Sequence, residues 1–210
     1  MMTERNKSRR EISFVLLTGL GNLILADWLD LQLVYVVAAS LFWTGFVLVR
    51  ASSDPSAPAD WGFTRKGFGR SIRLLTPFML LSVLGFAAYG RFTGSMMLNW
   101  HILPVLLLYP IWGLVQQFLV VALIAGNIRK HSRLRDSITI ILTAFLFAGA
   151  HASSPVLTVA SFVLALITAT VYFRTGNLWA PGLFHGLFGT CLYYFVLGRD
   201  PLMEILHGQG

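Results

Sequence analysis

Of 210 residues, 12% are charged and 56% hydrophobic, and the mean hydropathy is +0.70. Charge is about half as common as in soluble domains, too sparse to cover a core that includes 16 Phe, 6 Trp and 6 Tyr, so a soluble globule is excluded. Disorder is excluded by the same apolar excess, and the net charge of +7 is no nucleic-acid footprint, because the basic residues avoid the apolar segments instead of interleaving with aromatics on a soluble face.

A window of about 19 residues finds seven apolar segments: Ile12 to Ala26, Leu31 to Val49, Ile72 to Tyr89, Leu103 to Ala125, Ser137 to Ala150, Val156 to Phe173 and Leu178 to Leu197. Several approach the roughly 20 residues that cross a hydrocarbon core as helix. The expected fold class is therefore all-α: a polytopic membrane bundle of about seven transmembrane helices, with residues 1–210 forming a single integral membrane domain. The first and fifth segments are short, and a count of six would turn one of them into a re-entrant or interfacial element. Arg5, Lys7, Arg9 and Arg10 precede the first segment as in a signal peptide, but no small-residue cleavage pattern follows and further spans do.

Lys and Arg counts set the orientation. With a cytoplasmic N-terminus, the inner side holds Arg5, Lys7, Arg9, Arg10, Arg50, Arg65, Lys66, Arg70, Arg73, Arg129, Lys130, Arg133, Arg135 and Arg174, fourteen in all, and the outer side only Arg91 and Arg199. Shifting one span would swap the later loops between sides and destroy this split. The expected location is an integral membrane protein of the bacterial inner membrane, with the lipid bilayer as its first partner. The stretch from Arg50 to Arg73 is the longest polar one; in it Trp61, Phe63 and Phe68 alternate with Arg65, Lys66 and Arg70, which suits either an interfacial element on anionic headgroups or an irregular loop with an aromatic anchor. Cys191, the only cysteine, reads as a small apolar filler in a late helix.

Chemistry in such a chain is sought among the polar side chains that the hydrocarbon region tolerates. Gln116 and Gln117 lie in the fourth segment, His151 ends the fifth, and His185 lies in the seventh between Gly182 and Gly186, a GxxxG spacing that admits a neighbouring helix. The glutamines point about 100° apart around their helix and serve either as interhelical hydrogen bonds or as site residues. His151 is either a cap at a helix end or a site residue. Two histidines on different helices with carboxamides on a third are the minimum for holding a metal or orienting a water. From the inner helix ends, His185 stands about 11 Å up, Gln116 about 14 Å and His151 about 20 Å, at 1.5 Å per residue. The histidine heights meet if the fifth helix starts early, near Arg133, or tilts strongly.

At these residues the chain resembles the CPBP family of intramembrane proteases, which includes the type II CAAX prenyl endopeptidases and bacterial relatives linked to bacteriocin handling. That family carries Glu-Glu-x-x-x-Arg, Phe-x-x-x-His and His-x-x-x-Asn/Asp on successive helices. Phe147 and His151 supply the second motif, and His185 half of the third, with Gly189 at the Asn/Asp position. Gln116 and Gln117 stand at the glutamates and Val121 at the arginine; the run from Tyr172 to His185 also matches, and the likeness covers a CPBP-like core over 111–190. The resemblance implies hydrolysis of a peptide bond near a membrane-associated or lipidated segment, with His151, His185, Gln116 and Gln117 as catalytic residues and Phe147 and Gly189 supporting them. It leaves open whether the histidines orient water alone or hold a divalent metal such as zinc.

A glutamine has no useful basicity near neutral pH, and loss of a general base commonly costs about 10² to 10⁴ in rate. Three escapes follow: a neutral histidine takes the proton, a metal activates the water, or the protein is a pseudoprotease that holds a membrane or lipidated partner without cutting it. A small transporter-like bundle, with the polar residues lining a solute path, is the reading outside the family.

Overall fold

The computed structural model describes residues 4–207, and among them every regular element is helical. In chain order these are α1 (Glu4–Gly21), continued by a π-helical stretch Asn22–Trp28; α2 (Gln32–Ser53); the single turn α3 (Ala57–Asp60); α4 (Phe68–Thr93); and α5 (Ile102–Gln117). A second π-helical stretch, Phe118–Gly126, and α6 (Asn127–His131) continue α5 as one rod; then come α7 (Asp136–Gly149), α8 (Pro155–Thr175), α9 (Trp179–Cys191) with its π-helical continuation Leu192–Leu197, and α10 (Pro201–His207).

All seven apolar segments are helical, but five are long and apolar enough to cross a membrane: Gln32–Ser53, Phe68–Thr93, Ile102–His131, Pro155–Thr175 and Trp179–Leu197. The two that fall short are the two short in sequence. Arg5, Lys7, Arg9, Arg10 and Glu11 occupy the first half of α1, and the 14 residues of α7 reach only about 21 Å against a hydrocarbon core of about 30 Å.

Helix composition decides depth in the bundle. The stretch Phe118–Gly126 is apolar all round, and Phe118 through Ala125 are buried on every side, as a helix without a polar face must be. The last span is likewise 61% buried, whereas α2 and α4 are 11% buried and turn Leu41, Leu48, Leu81 and Leu84 outward. These outward leucines suit lipid.

Glycines set the closest crossing. A Cβ on Gly113 of α5 would lie 2.8 Å from both the Gly182 carbonyl oxygen and the Gly186 nitrogen of α9, and one on Gly182 would lie 2.8 Å from the Leu114 Cα. The GxxxG pair is thus where α5 and α9 meet backbone to backbone.

The basic end is tied shut. Asn177, fully buried ahead of α9, accepts from the Ala180 amide at 3.1 Å and donates to the Thr64 and Lys66 carbonyls at 2.6 and 3.2 Å. Ser71 pairs with Thr175 at 2.8 Å, and Arg129 with Asp136 at 2.8 Å while lying over the Phe173 ring. In the connector before α4, the half-buried Trp61 and Phe63 turn toward the core, with ring centroids 5.2 and 5.4 Å from Phe118. Cys191 is half-buried at the end of α9.

Candidate active site

The α5–α9 crossing brings the first pair of site residues together. One turn beyond Gly113, the fully buried Gln117 places Nε2 3.0 Å from His185 Nδ1. With the amide nitrogen as donor, His185 Nδ1 accepts, an arrangement that puts the ring proton on Nε2. The other amide atom, Gln117 Oε1, is buried without a hydrogen-bond partner among the described residues. An orphaned acceptor costs about 1–3 kcal/mol, which one donating water would relieve.

His151 follows the last turn of α7, and the turn after it is pinned by Thr158, whose hydroxyl donates to the His151 carbonyl at 2.9 Å. Its ring folds back so that Nδ1 lies 2.9 Å from the Phe147 carbonyl oxygen. A carbonyl only accepts, so the His151 proton sits on Nδ1 and the lone pair on Nε2, the opposite tautomer to His185. Phe147, 4% exposed, holds the two imidazoles apart and edge-on: its centroid is 4.7 Å from His151 and 5.7 Å from His185.

Both histidines and Gln116 line one cavity of about 140 Å³, together with Tyr109, Trp112 and Gly189. The glutamine pair therefore divides, Gln116 facing the cavity and Gln117 standing behind His185. The early start of the fifth helix is corrected, since α7 begins at Asp136. His151 lies past the helix end, its ring reaches back one turn to the Phe147 carbonyl, and it lines the same cavity as His185.

Gly189, at the expected Asn/Asp position, faces Tyr109: a Cβ there would come 2.6 Å from Tyr109 Cε1. The phenol ring thus occupies the space into which a side chain at 189 would project. Tyr109 and Trp112 are cavity residues that the reading of polar positions missed. Their signal is spacing, because Tyr109, Trp112 and Gln116 stand at i, i+3 and i+7 on one face of α5. Asn22 of the π-helical end of α1 also lines the cavity and donates to the Ala150 carbonyl at 3.4 Å.

A second, apolar void of about 760 Å³ lies beside α1, α7 and the stretch Phe118–Gly126, and it shares Asn22, Trp112, Gln116, Ala150 and His151 with the polar cavity. Its walls are side chains such as Leu16, Leu20, Leu119, Ile124 and Leu146.

The donors do not fit a zinc ion. Catalytic zinc takes three protein ligands, and no group of three or more His, Cys, Asp or Glu side chains among the described residues is placed to share a metal. Among the described residues, no Asp or Glu lines either void.

No curated protein and no solved structure matches the chain. Residues 98–191 match the family model described as type II CAAX prenyl endopeptidase Rce1-like, a stretch that contains Gln116, Gln117, Phe147, His151, His185 and Gly189. That match lies on the helices that enclose the polar cavity of an all-helical membrane bundle, and over this stretch the chain is similar to the type II CAAX prenyl endopeptidases.

Proposed function

We propose that this protein is an intramembrane endopeptidase that hydrolyses a peptide bond beside a membrane-associated or lipidated segment, with His151 as general base. The observation that carries the reading is the placement of His151 Nδ1 2.9 Å from the Phe147 carbonyl and of His185 Nδ1 3.0 Å from Gln117 Nε2, which favours opposite tautomers of the two rings. In this mechanism Nε2 of His151 takes a proton from water as the water oxygen bonds to the substrate carbonyl carbon. The Nε2–H of His185 donates to the developing oxyanion, a contribution that typically amounts to about 10²–10³ in rate. The tetrahedral species then collapses, the C–N bond breaks, and His151 returns its proton to the leaving amine. Gln116 orients water or substrate by hydrogen bonding, and Gln117 is a positioning residue for His185. The apolar void beside His151 suits the hydrocarbon part of the substrate.

The protein purified in detergent, assayed on lipidated peptides, should lose about 10² to 10⁴ in rate on His151→Ala and about 10² or more on His185→Ala. Undiminished cleavage by His151→Ala overturns the mechanism. Glutamines at 116 and 117, where the resembled family has glutamates, favour one second reading, a pseudoprotease that holds such a segment uncut. Cleavage that appears only in Gln116→Glu or Gln117→Glu would establish it.

A further inference from the structure

The polar cavity occupies one half of the bundle. Its lining comes from the last turns of α1 (Asn22, Ala26 in the π-helical continuation), the first turns of α2 (Gln32, Val36) and the turn between α7 and α8 (Ser153, Ser154). Arg199, Pro201 and Ile205, after the last span, complete the same end. The exposed Ser153 brings this lining to the surface. The fourteen cations counted on the inner side lie at the other helix ends, where α1, α4 and α7 begin and α2, α6 and α8 finish. That end is closed by the hydrogen bonds of Asn177, Ser71 and Arg129.

The end that carries the cavity has its own aromatic ring and a folded cover. Trp28 and Trp100 are 80% and 71% exposed there, as interfacial anchors are. Asp200 fastens the cover: its carboxylate accepts from Asn99 Nδ2 at 2.9 Å and Tyr194 OH at 3.0 Å, and lies 2.6 Å from His101 Nδ1. Arg199 makes a paired contact with Glu204 at 2.5 and 2.9 Å, so its charge is balanced within the cover. Cations collect on cytoplasmic loops, which places the basic end inside and the cavity mouth outside.

We infer that the site takes its polypeptide from the extracytoplasmic side, so that its substrate class is an exported segment or one anchored in the outer leaflet, and not a cytoplasmic C-terminus. The inference rests on the proposed hydrolase for the word substrate, while the sidedness stands on geometry and charge. Its chemistry requires a chain that offers a scissile amide near the outer interface and a hydrocarbon portion beside it.

Single cysteines in a Cys191→Ser background test the sidedness in the full chain. Ser153→Cys sits at the cavity mouth and Ser52→Cys at the basic end; both positions are exposed. A membrane-impermeant maleimide should label Ser153→Cys in intact right-side-out vesicles and Ser52→Cys only after inversion. The reverse pattern overturns the inference. A peptide acylated at one end and presented outside sealed right-side-out vesicles should be cut, and the same peptide enclosed within them spared. Cleavage of the enclosed peptide alone contradicts the sidedness, whereas absence of cleavage in detergent contradicts the hydrolase, so the two failures are distinguishable.

Discussion

The crossing of α5 with α9 and the seam between α1 and α7 are built on opposite principles. At the crossing, Gly113, Gly182 and Gly186 bring two backbones together so closely that none has room for a Cβ. At the seam, both helices lean on Phe118–Gly126, but a void of about 760 Å³ separates their leucines, and Gly19 in its wall has nothing within 4 Å of a built Cβ. The adjacent glutamines sample both: Gln117 is locked at the crossing and Gln116 faces the voids. A membrane bundle without a hydrophobic drive between its helices thus spends its close packing where a histidine must be held and leaves space where hydrocarbon can enter.

The largest expected effect contrasts the two regions directly. Gly186→Leu forces a side chain into Pro110 and should abolish the folded bundle or cost at least the roughly 1–3 kcal/mol of an overpacked core. Gly19→Leu should melt as wild type in detergent while raising KM for lipidated peptides more than for short unmodified ones. Equal melting of the two variants would erase the distinction.

Next comes Gln117→Leu, which leaves His185 Nδ1 without its donor. A buried unpartnered nitrogen costs about 1–3 kcal/mol, so the variant should melt lower than Gln116→Leu, whose side chain is only half-buried. It should also lower kcat with little change in KM.

The smallest effect lies at the end that carries the cavity. Burial alone would lift the Asp200 carboxyl, yet hydrogen bonds from His101, Asn99, Tyr194 and the Met203 amide outweigh it and hold the group below the ordinary carboxylate range. A lowered folded value stabilises the cover above the unfolded carboxylate pKa, about 3.9, and that contribution fades as pH falls through the folded value. Thermal melting of wild type should therefore lose stability on acidification below about pH 4, and Asp200→Asn should flatten that part of the profile.

Much of the architecture is legible in residue order. Apolar runs place the helices, and the GxxxG spacing of Gly182 and Gly186 marks the crossing. Span number is partly legible: the first and fifth segments are short in sequence, and these are the two whose helices fall short of a span. Height along the membrane normal misleads for His151, since rise per residue describes helix and this residue lies beyond one. Trp61 and Phe63 alternate with cations as an interfacial strip does, but a neighbouring pocket beside Phe118 claims them, and local pattern carries no record of that pocket. Tyr109 escapes a search for amides and imidazoles because its polar atom belongs to a ring common in lipid-facing helices.

The opposed tautomers of the two imidazoles are the centre of this account. Nitrogen-15 NMR of histidine-labelled protein, with signals assigned through His151→Gln and His185→Gln, reports directly which ring nitrogen bears each proton. The proton is expected on Nδ1 in His151 and on Nε2 in His185. Two rings in the same tautomer, or the reverse assignment, would contradict it.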